Sequence, residues 1–476
     1  MTLSRAALRD LKRRFPADIV RCDPIHLRVY DADGYALDGV APDAVLLPRT
    51  EDEVYEIVRW CVGHDIPFVA RGAGTGLSGG CLTLGGGIQI GLARLRGILE
   101  VDVERRFAVV QSGVVNLELN QALATTGLCF APDPSSQAAC TVGGNFAENS
   151  GGPHTLKVGV TLPHILGARM VTPEGTWMEI GGTHHPGAGP DLLGLLVGGE
   201  GTLGIATRLT LRLTPLPAAV ATFLAVFPSV GDAARAVSAM VARAIVPAAM
   251  ELIDQVMLRA VEEAFGFGFP LDAGGVLIVE VDGPPEAIAY EREVVRSVCS
   301  GHGATEIREA RDERERHQLW RARKHAFGAI GRMAPNYATQ DGVVPRGKVP
   351  EIVEAIAEAS RRHGIRIGTV LHAGDGNIHP CVLFDERDPE QVDRALAACG
   401  DILQRCIELD GTPTGEHGIG MEKREFLPLL YGPADLAAMH DVKNAFDPAH
   451  LCNPHKILPG AGGCGELRVA GRKVAS

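Results

Sequence analysis

Four groups of residues in the C-terminal half have types and spacings that can do chemistry. The first is His372-Ala-Gly-Asp-Gly-Asn-Ile-His379, and the second is Glu416-His417 inside Gly-Glu-His-Gly. The third is Arg321, Arg323 and Lys324 after Trp320, and the fourth is Asn453 in a closing loop. Neutral imidazoles and a carboxylate are the ordinary ligand set for zinc or a similar divalent ion. A lone histidine at a strand end is more often structural, and a basic run is more often a solvated helix face. Two histidines and a Glu-His pair, all set between glycines, are harder to dismiss.

The two histidines lie seven residues apart, an odd offset that on a straight strand sends them to opposite faces. Asp375-Gly376, however, is a two-residue hairpin signal between the strand-like stretches 365–371 and 378–384. A turn there places His372 opposite His379, with Cβ atoms roughly 4.5–5.5 Å apart. Both rings then reach one ion, with Glu416 as a third ligand and one position left open.

The N-terminal half carries a different signal. Arg71-Gly-Ala-Gly-Thr-Gly-Leu-Ser-Gly-Gly80 follows the strand-like 66–70, and its small residues let many backbone N–H groups converge on an anion. Gly74-x-Gly76-x-x-Gly79 matches the dinucleotide fingerprint literally, but no helix pattern follows and no acidic residue ends a second strand. A nicotinamide nucleotide is therefore not expected. Pro132–Gln137 with Thr141–Asn145, Asn149 and Gly151-Gly152 form a second such loop, and Gly198–Ile205 a third. Three glycine-rich loops suit a large cofactor with phosphates, hydroxyls and ring edges.

The elements that must hold these loops divide near Pro215-Leu-Pro217. Before that point glycines are dense, helix patterns are few, and strand-like runs recur at 44–47, 67–70, 87–91, 108–112 and 203–213. After it, strands at 222–227, 276–281 and 304–309 alternate with helices at 232–245, 284–299, 311–331, 349–363 and 389–410. That order predicts an α+β fold: an antiparallel, ferredoxin-like sheet covered by helices on one face. The expected domains are an N-terminal helical segment 1–37, a cofactor domain 38–216, a substrate (cap) domain 217–460 and a tail 461–476.

Composition bounds the function. Hydrophobic content of 46% and charged content of 22% are those of a globular protein. A net charge of −12 disfavours nucleic acid and anionic membrane. No window approaches about 20 apolar residues, so no transmembrane segment is expected. The 11 cysteines include no CxxC pair, which points to reduced thiols in a cytoplasm and to iron–sulfur clusters, if any, on another subunit.

RGAGTGLSGG, APDPSSQAACTVGGNFAENSGG and GGEGTLGI resemble the FAD-binding domain of the vanillyl-alcohol-oxidase/PCMH flavoproteins. HAGDGNIHP, GEHGIG and FDPAHLCNPHKILP resemble the C-terminal domain of that family's 2-hydroxy-acid branch, which holds glycolate oxidases and D-lactate and D-2-hydroxyglutarate dehydrogenases. The resemblance implies a PCMH-type FAD-binding domain followed by an oxidase substrate domain. It implies that Arg71, Gly72, Gly74, Thr75, Gly76 and Ser78 wrap the FAD diphosphate. Pro132, Asp133, Ser136, Gly143, Gly144, Asn145, Asn149, Ile205 and Asn453 line the rest of the cofactor. Some relatives tether the flavin through a histidine where Thr75 stands here, so the FAD is expected to be non-covalent.

By the same resemblance, His372, His379 and Glu416 hold a divalent metal, His417 is the base and Arg323 pairs with the substrate carboxylate. Relatives that take dicarboxylates carry a lysine where Thr339 stands, so a small monocarboxylate such as glycolate or D-lactate is expected. The chemistry is proton loss from the hydroxyl and hydride loss from carbon to flavin N5. Electrons would pass to a partner: a second flavin subunit and an iron–sulfur subunit. A non-catalytic flavin-carrying subunit, a D-2-hydroxyglutarate-type dehydrogenase and a nucleotide-using metal hydrolase are the alternatives.

Overall fold

A computed structural model of the chain describes residues 3–35, 39–183 and 189–460, and the backbone of 468–469 and 472–473. The expected tail, 461–476, lies almost wholly outside the described residues.

The chain forms two compact units. The first comprises residues 1–151, 160–216 and 416–465; the second comprises 152–159, 217–415 and 466–476. The sequence pattern groups residues 416–460 with the second domain, whereas they pack within the first unit.

The first unit holds two main sheets. In the smaller, Ile88–Gly91 pairs in parallel with Ala44–Leu46 and with Phe68–Arg71. These strands are buried at nearly every position, Gln89 included, as expected where both faces are covered. Helix Glu51–Gly63 covers one side, with Thr50 capping through a bond from Glu53 N–H (3.1 Å). Its Val54, Ile57, Val58 and Cys61 recur at helical spacing and are buried. The second sheet is antiparallel, in the order Ile98–Asp102, Phe107–Gln111, Ile205–Arg212, Ile165–Val171, Trp177–Gly181. No helix lies between Arg71 and Ile88, so the glycine segment is a bare loop between parallel strands.

The second unit is built on an eight-stranded antiparallel sheet. Its order is Glu306–Glu309, Ala219–Phe227, Gly275–Gly283, Ala249–Asp254, Ile367–His372, Asn377–Phe384, Asn336–Thr339. Gly342–Val343 also pairs with Asn377–Phe384. Helices cover both faces, not one. Gln255–Phe265, Glu313–Lys324 and Ala326–Ile330 pack against Ile278, Ile253 and Val370. Val230–Ala242, Pro285–Gly301 and Pro389–Glu408 lie on the other face. Double cover explains why Asn377–Phe384 is buried at every position and shows no polar alternation. Helix Val349–His363 has the expected limits, with Pro350 in its first turn and Gly364 in the left-handed conformation at its end.

Candidate functional site

In the first unit the glycine-rich loops meet through backbone too close for side chains. A Cβ on Gly72 would lie 2.5 Å from Thr141 Oγ1, and one on Gly143 would lie 2.6 Å from Ser112 Cβ. Gly198 N–H donates to Phe146 O (2.9 Å) and Glu200 N–H to Ala147 O (2.8 Å), joining the third loop to the second. Asn453 closes the group, donating from Nδ2 to Gly80 O (2.9 Å) and Glu200 O (2.7 Å). Ser78 Oγ donates to His417 O (2.9 Å), so this hydroxyl fixes the loop that carries His417.

Between Ala73 and Ser78 no backbone N–H donates to another described residue. A run of uncommitted peptide donors in a glycine loop is an anion cradle, and a diphosphate is the ligand it fits. Arg71 contributes differently from expectation. Its side chain is buried, donates to Ala32 O (2.9 Å) and lies over the Tyr30 ring (5.6 Å), folded back beneath Gly74. Thr141 caps helix Val142–Glu148, taking Gly144 N–H (3.1 Å). Asn145 Oδ1 takes a bond from Asn116 Nδ2 (3.1 Å), whose other bond reaches Pro132 O (2.9 Å). Asn149 adopts φ 53° at the helix end and accepts from Leu162 N–H (2.9 Å). Ile205 is buried at the start of its strand. Thr75, Gly76, Asp133 and Ser136 sit half-buried.

Buried acids near these loops have no signature in the sequence pattern. Burial drives the Glu200 carboxyl up to about 7, against the Ile419 and Gly420 N–H groups it accepts at 2.7 and 2.8 Å. Burial and the nearby Glu200 raise Glu148 as well, and burial raises Asp33 to about 6.

In the second unit the hairpin exists, but its register differs from expectation. His372 pairs with Asn377 and Val370 with His379, so the turn is Ala373–Gly376 rather than Asp375-Gly376 alone. Gly376 N–H reaches back to His372 O (3.2 Å), and Asp375 Oδ1 takes Asn377 N–H (3.1 Å). The register is shifted by two residues, and an even shift preserves the face. His372 and His379 therefore form a diagonal pair on one face, with ring centroids 5.0 Å apart and edge-to-face.

Strand Ala249–Asp254 adds a residue that sequence reasoning missed. Glu251 sits directly opposite His372, with Oε1 2.6 Å from Nδ1, and its other oxygen forms an ion pair with Arg323 Nε. Glu251 and Arg323 have 0% exposure. Burial alone would raise the Glu251 carboxyl; Arg323 and His372 hold it below the usual range. Nη1 and Nη2 of Arg323 make no hydrogen bond among the described residues. Arg321 is exposed, so of Arg321 and Arg323 only Arg323 is turned toward the sheet.

The same face carries Thr339, opposite Cys381 and 3.5 Å from its sulfur. Asp341 joins this face to the following loop. Its Oδ1 accepts from Asn377 Nδ2 (2.7 Å), and its Oδ2 accepts from Thr414 Oγ1 (2.7 Å) and Gly415 N–H (2.8 Å). Glu416 is the next residue, where the chain returns to the first unit.

Residues 42–181 match the family described as "FAD binding domain", and residues 216–457 match "FAD linked oxidases, C-terminal domain". Glycolate oxidase subunit GlcD of Escherichia coli K12 is 41% identical over 438 residues, covering 92% of this chain and 88% of that protein. GlcD of Bacillus subtilis is 38% identical, covering 90% and 92%. A D-lactate dehydrogenase of Anaerostipes hadrus is 31% identical, covering 89% and 91%. Among solved structures, substrate-bound p-cresol methylhydroxylase superposes with a TM-score of 0.79 at 16% identity, covering 96% of this chain and 97% of that one. That likeness bears out the PCMH-type fold. With both family models matched and relatives aligned along most of their length, the chain belongs to the FAD-linked oxidases.

Proposed function

We propose that this chain oxidises a small 2-hydroxy acid, glycolate or D-lactate, to the 2-oxo acid. The observation that carries the reading is Arg323: a fully buried guanidinium, paired on one side with Glu251, whose two outer nitrogens have no partner among the described residues. A buried cation in that state calls for an anion, and a planar carboxylate matches its fork in a bidentate pair. The relatives named as glycolate oxidase subunits and D-lactate dehydrogenases favour the same substrate class.

Arg323 would hold the carboxylate and so orient the carbon that bears the hydroxyl. Glu251, on His372 Nδ1, fixes that ring so that Nε2 is the atom offered to a ligand. His372 and His379 share a face at a separation that fits one divalent ion, and Glu416 is the third ligand that the sequence resemblance implies. Such an ion would supply Lewis acidity toward the hydroxyl. His417 would take the hydroxyl proton. Bound FAD supplies the two-electron acceptor, held without a covalent link because Thr75 occupies the tethering position. Thr339, on the same face as the histidines, offers no cation to a second carboxylate, which favours monocarboxylic substrates.

Electrons are proposed to leave to a partner protein, with a second flavin subunit and an iron–sulfur subunit as the expected acceptors, in a cytoplasmic complex. Among the described residues no helix is long and apolar enough to cross a membrane. Anaerobic mixing of the purified flavoprotein with D- and L-2-hydroxy acids tests the reading. Bleaching of the flavin by glycolate or D-lactate is expected; a flavin left oxidised by every member of the panel refutes it.

A further inference from the structure

Phe327 lies one helical turn beyond Arg323, on the short helix Ala326–Ile330 that packs on the histidine-bearing face of the sheet. Its ring centroid is 5.9 Å from the Arg323 guanidinium carbon and 6.0 Å from the His379 ring centroid, edge-on at 70°. One aromatic ring therefore borders both the carboxylate anchor and one of the two clustered histidines. Phe327 is half-buried while Arg323 is fully buried, so the ring is the outer of the two groups.

We propose that Phe327 sets the length of the 2-hydroxy acid side chain that the site accepts; this rests on the reading of the site given above. A 2-hydroxy acid has its carboxylate and hydroxyl on adjacent carbons. A molecule engaging Arg323 with one and the histidine pair with the other spans the interval that Phe327 borders. The substituent on its hydroxyl-bearing carbon is then the part left to meet the ring. A hydrogen in that place, as in glycolate, or a methyl, as in lactate, needs little room. Each further methylene must displace a ring that is already in contact with Arg323 and packed against the core. The ring offers no hydrogen-bond donor or positive charge, so a substituent ending in a second carboxylate also loses its water without replacement. Thr339 on the same face supplies no charge to offset that loss.

The test compares wild type, Phe327→Ala and Phe327→Leu, each loaded with FAD, by flavin reduction and by steady-state turnover with a dye acceptor. The substrates are glycolate, lactate, 2-hydroxybutanoate and 2-hydroxypentanoate, the chiral ones as separate enantiomers. A pocket wall discriminates by about 10–200-fold per methylene. Preference for 2-hydroxypentanoate over glycolate, taken as the ratio of their kcat/KM values, should therefore rise at least about 10-fold in Phe327→Ala. Most of that rise should come from a lower Michaelis constant, and Phe327→Leu should show less of it. Phe327→Leu keeps most of the apolar volume and carries the comparison if the alanine variant does not fold. An unchanged ratio, or a uniform loss across the series, overturns the assignment. A wild-type flavin that no member reduces overturns the underlying reading, and this assignment with it.

Discussion

Glu280 gives the sharpest test of what holds the second unit together. Its carboxylate is 2% exposed on the central strand Gly275–Gly283. It accepts from Arg316 Nε and Nη2 (2.9 Å each), Trp320 Nε1 (2.7 Å) and Thr222 Oγ1 (2.6 Å), with His154 Nε2 at 3.4 Å. Burial works to raise this carboxyl, but His154, Arg316 and Thr222 outweigh it and hold it far below the ordinary range. Glu280→Gln keeps the size and removes the charge. Breaking one side of a buried ion pair costs about 3–5 kcal/mol. The Arg316 side chain is 26% exposed, so water solvates part of the orphaned cation and the loss falls near 3 kcal/mol. For a unit of this size, about 2–4 °C per kcal/mol converts that to a drop of about 6–12 °C in Tm. Of the three tryptophans only Trp320 lies in the second unit, and its indole bonds Glu280 directly, so fluorescence-detected melting reads this transition. The folded-state pKa is lowered, so the contribution is complete above the unfolded value of about 4.3 and lost as pH falls below it. The gap between wild type and Glu280→Gln should therefore hold steady from neutral pH down to about 5.5 and shrink on further acidification. A difference under about 2 °C at neutral pH, or a gap that widens in acid, would show that the network contributes little.

Arg323→Ala should lower kcat/KM by more than about a hundredfold, from the same cost of an unpaired buried partner, while FAD content stays at the wild-type level; activity within about threefold of wild type would place the carboxylate elsewhere. Elemental analysis should find about one equivalent of divalent metal in active protein and little in His372→Ala; less than about 0.2 equivalents in active wild type defeats the metal role. Acid precipitation should leave a colourless pellet and a yellow supernatant, since Thr75 cannot tether a flavin; a yellow pellet contradicts this.

What can be read from the chain tracks how local its physical cause is. The glycine loops are legible because only glycine tolerates the approach of Thr141 to Gly72 or Ser112 to Gly143, and those residues stand in plain view. The anion cradle follows from the missing helix after Gly80. Glu251 is not legible, because strand Ala249–Asp254 is doubly covered and shows no alternation to mark it as a strand. A single carboxylate inside Ala-Met-Glu-Leu-Ile is the available signal: such a charge needs a partner. The hairpin register fails for a related reason. Asp375-Gly376 is a genuine turn dipeptide, but Gly376 packs against Val344, a contact from another part of the chain, and the turn widens to four residues. The shared face survives because it depends only on parity. Arg321 and Arg323 are indistinguishable in sequence, since which one faces a sheet is decided by the docking of the helix.

The first unit takes its last pieces from residues near the end of the chain: Leu451 O receives Phe68 N–H (2.9 Å), and Asn453 N–H donates to Phe68 O (2.8 Å). The smaller sheet thus gains its edge bridge at Cys452, almost 400 residues after Phe68 has been synthesised. During translation, Pro217–Gly415 emerges whole before these residues do, so it has the contacts to fold first. The N-terminal half waits on the ribosome with a glycine loop whose closing Asn453 has yet to be made. The nascent chain would then acquire its flavin at release rather than during elongation, and a late stop codon would remove the residue that closes the glycine loop while sparing residues 217–415.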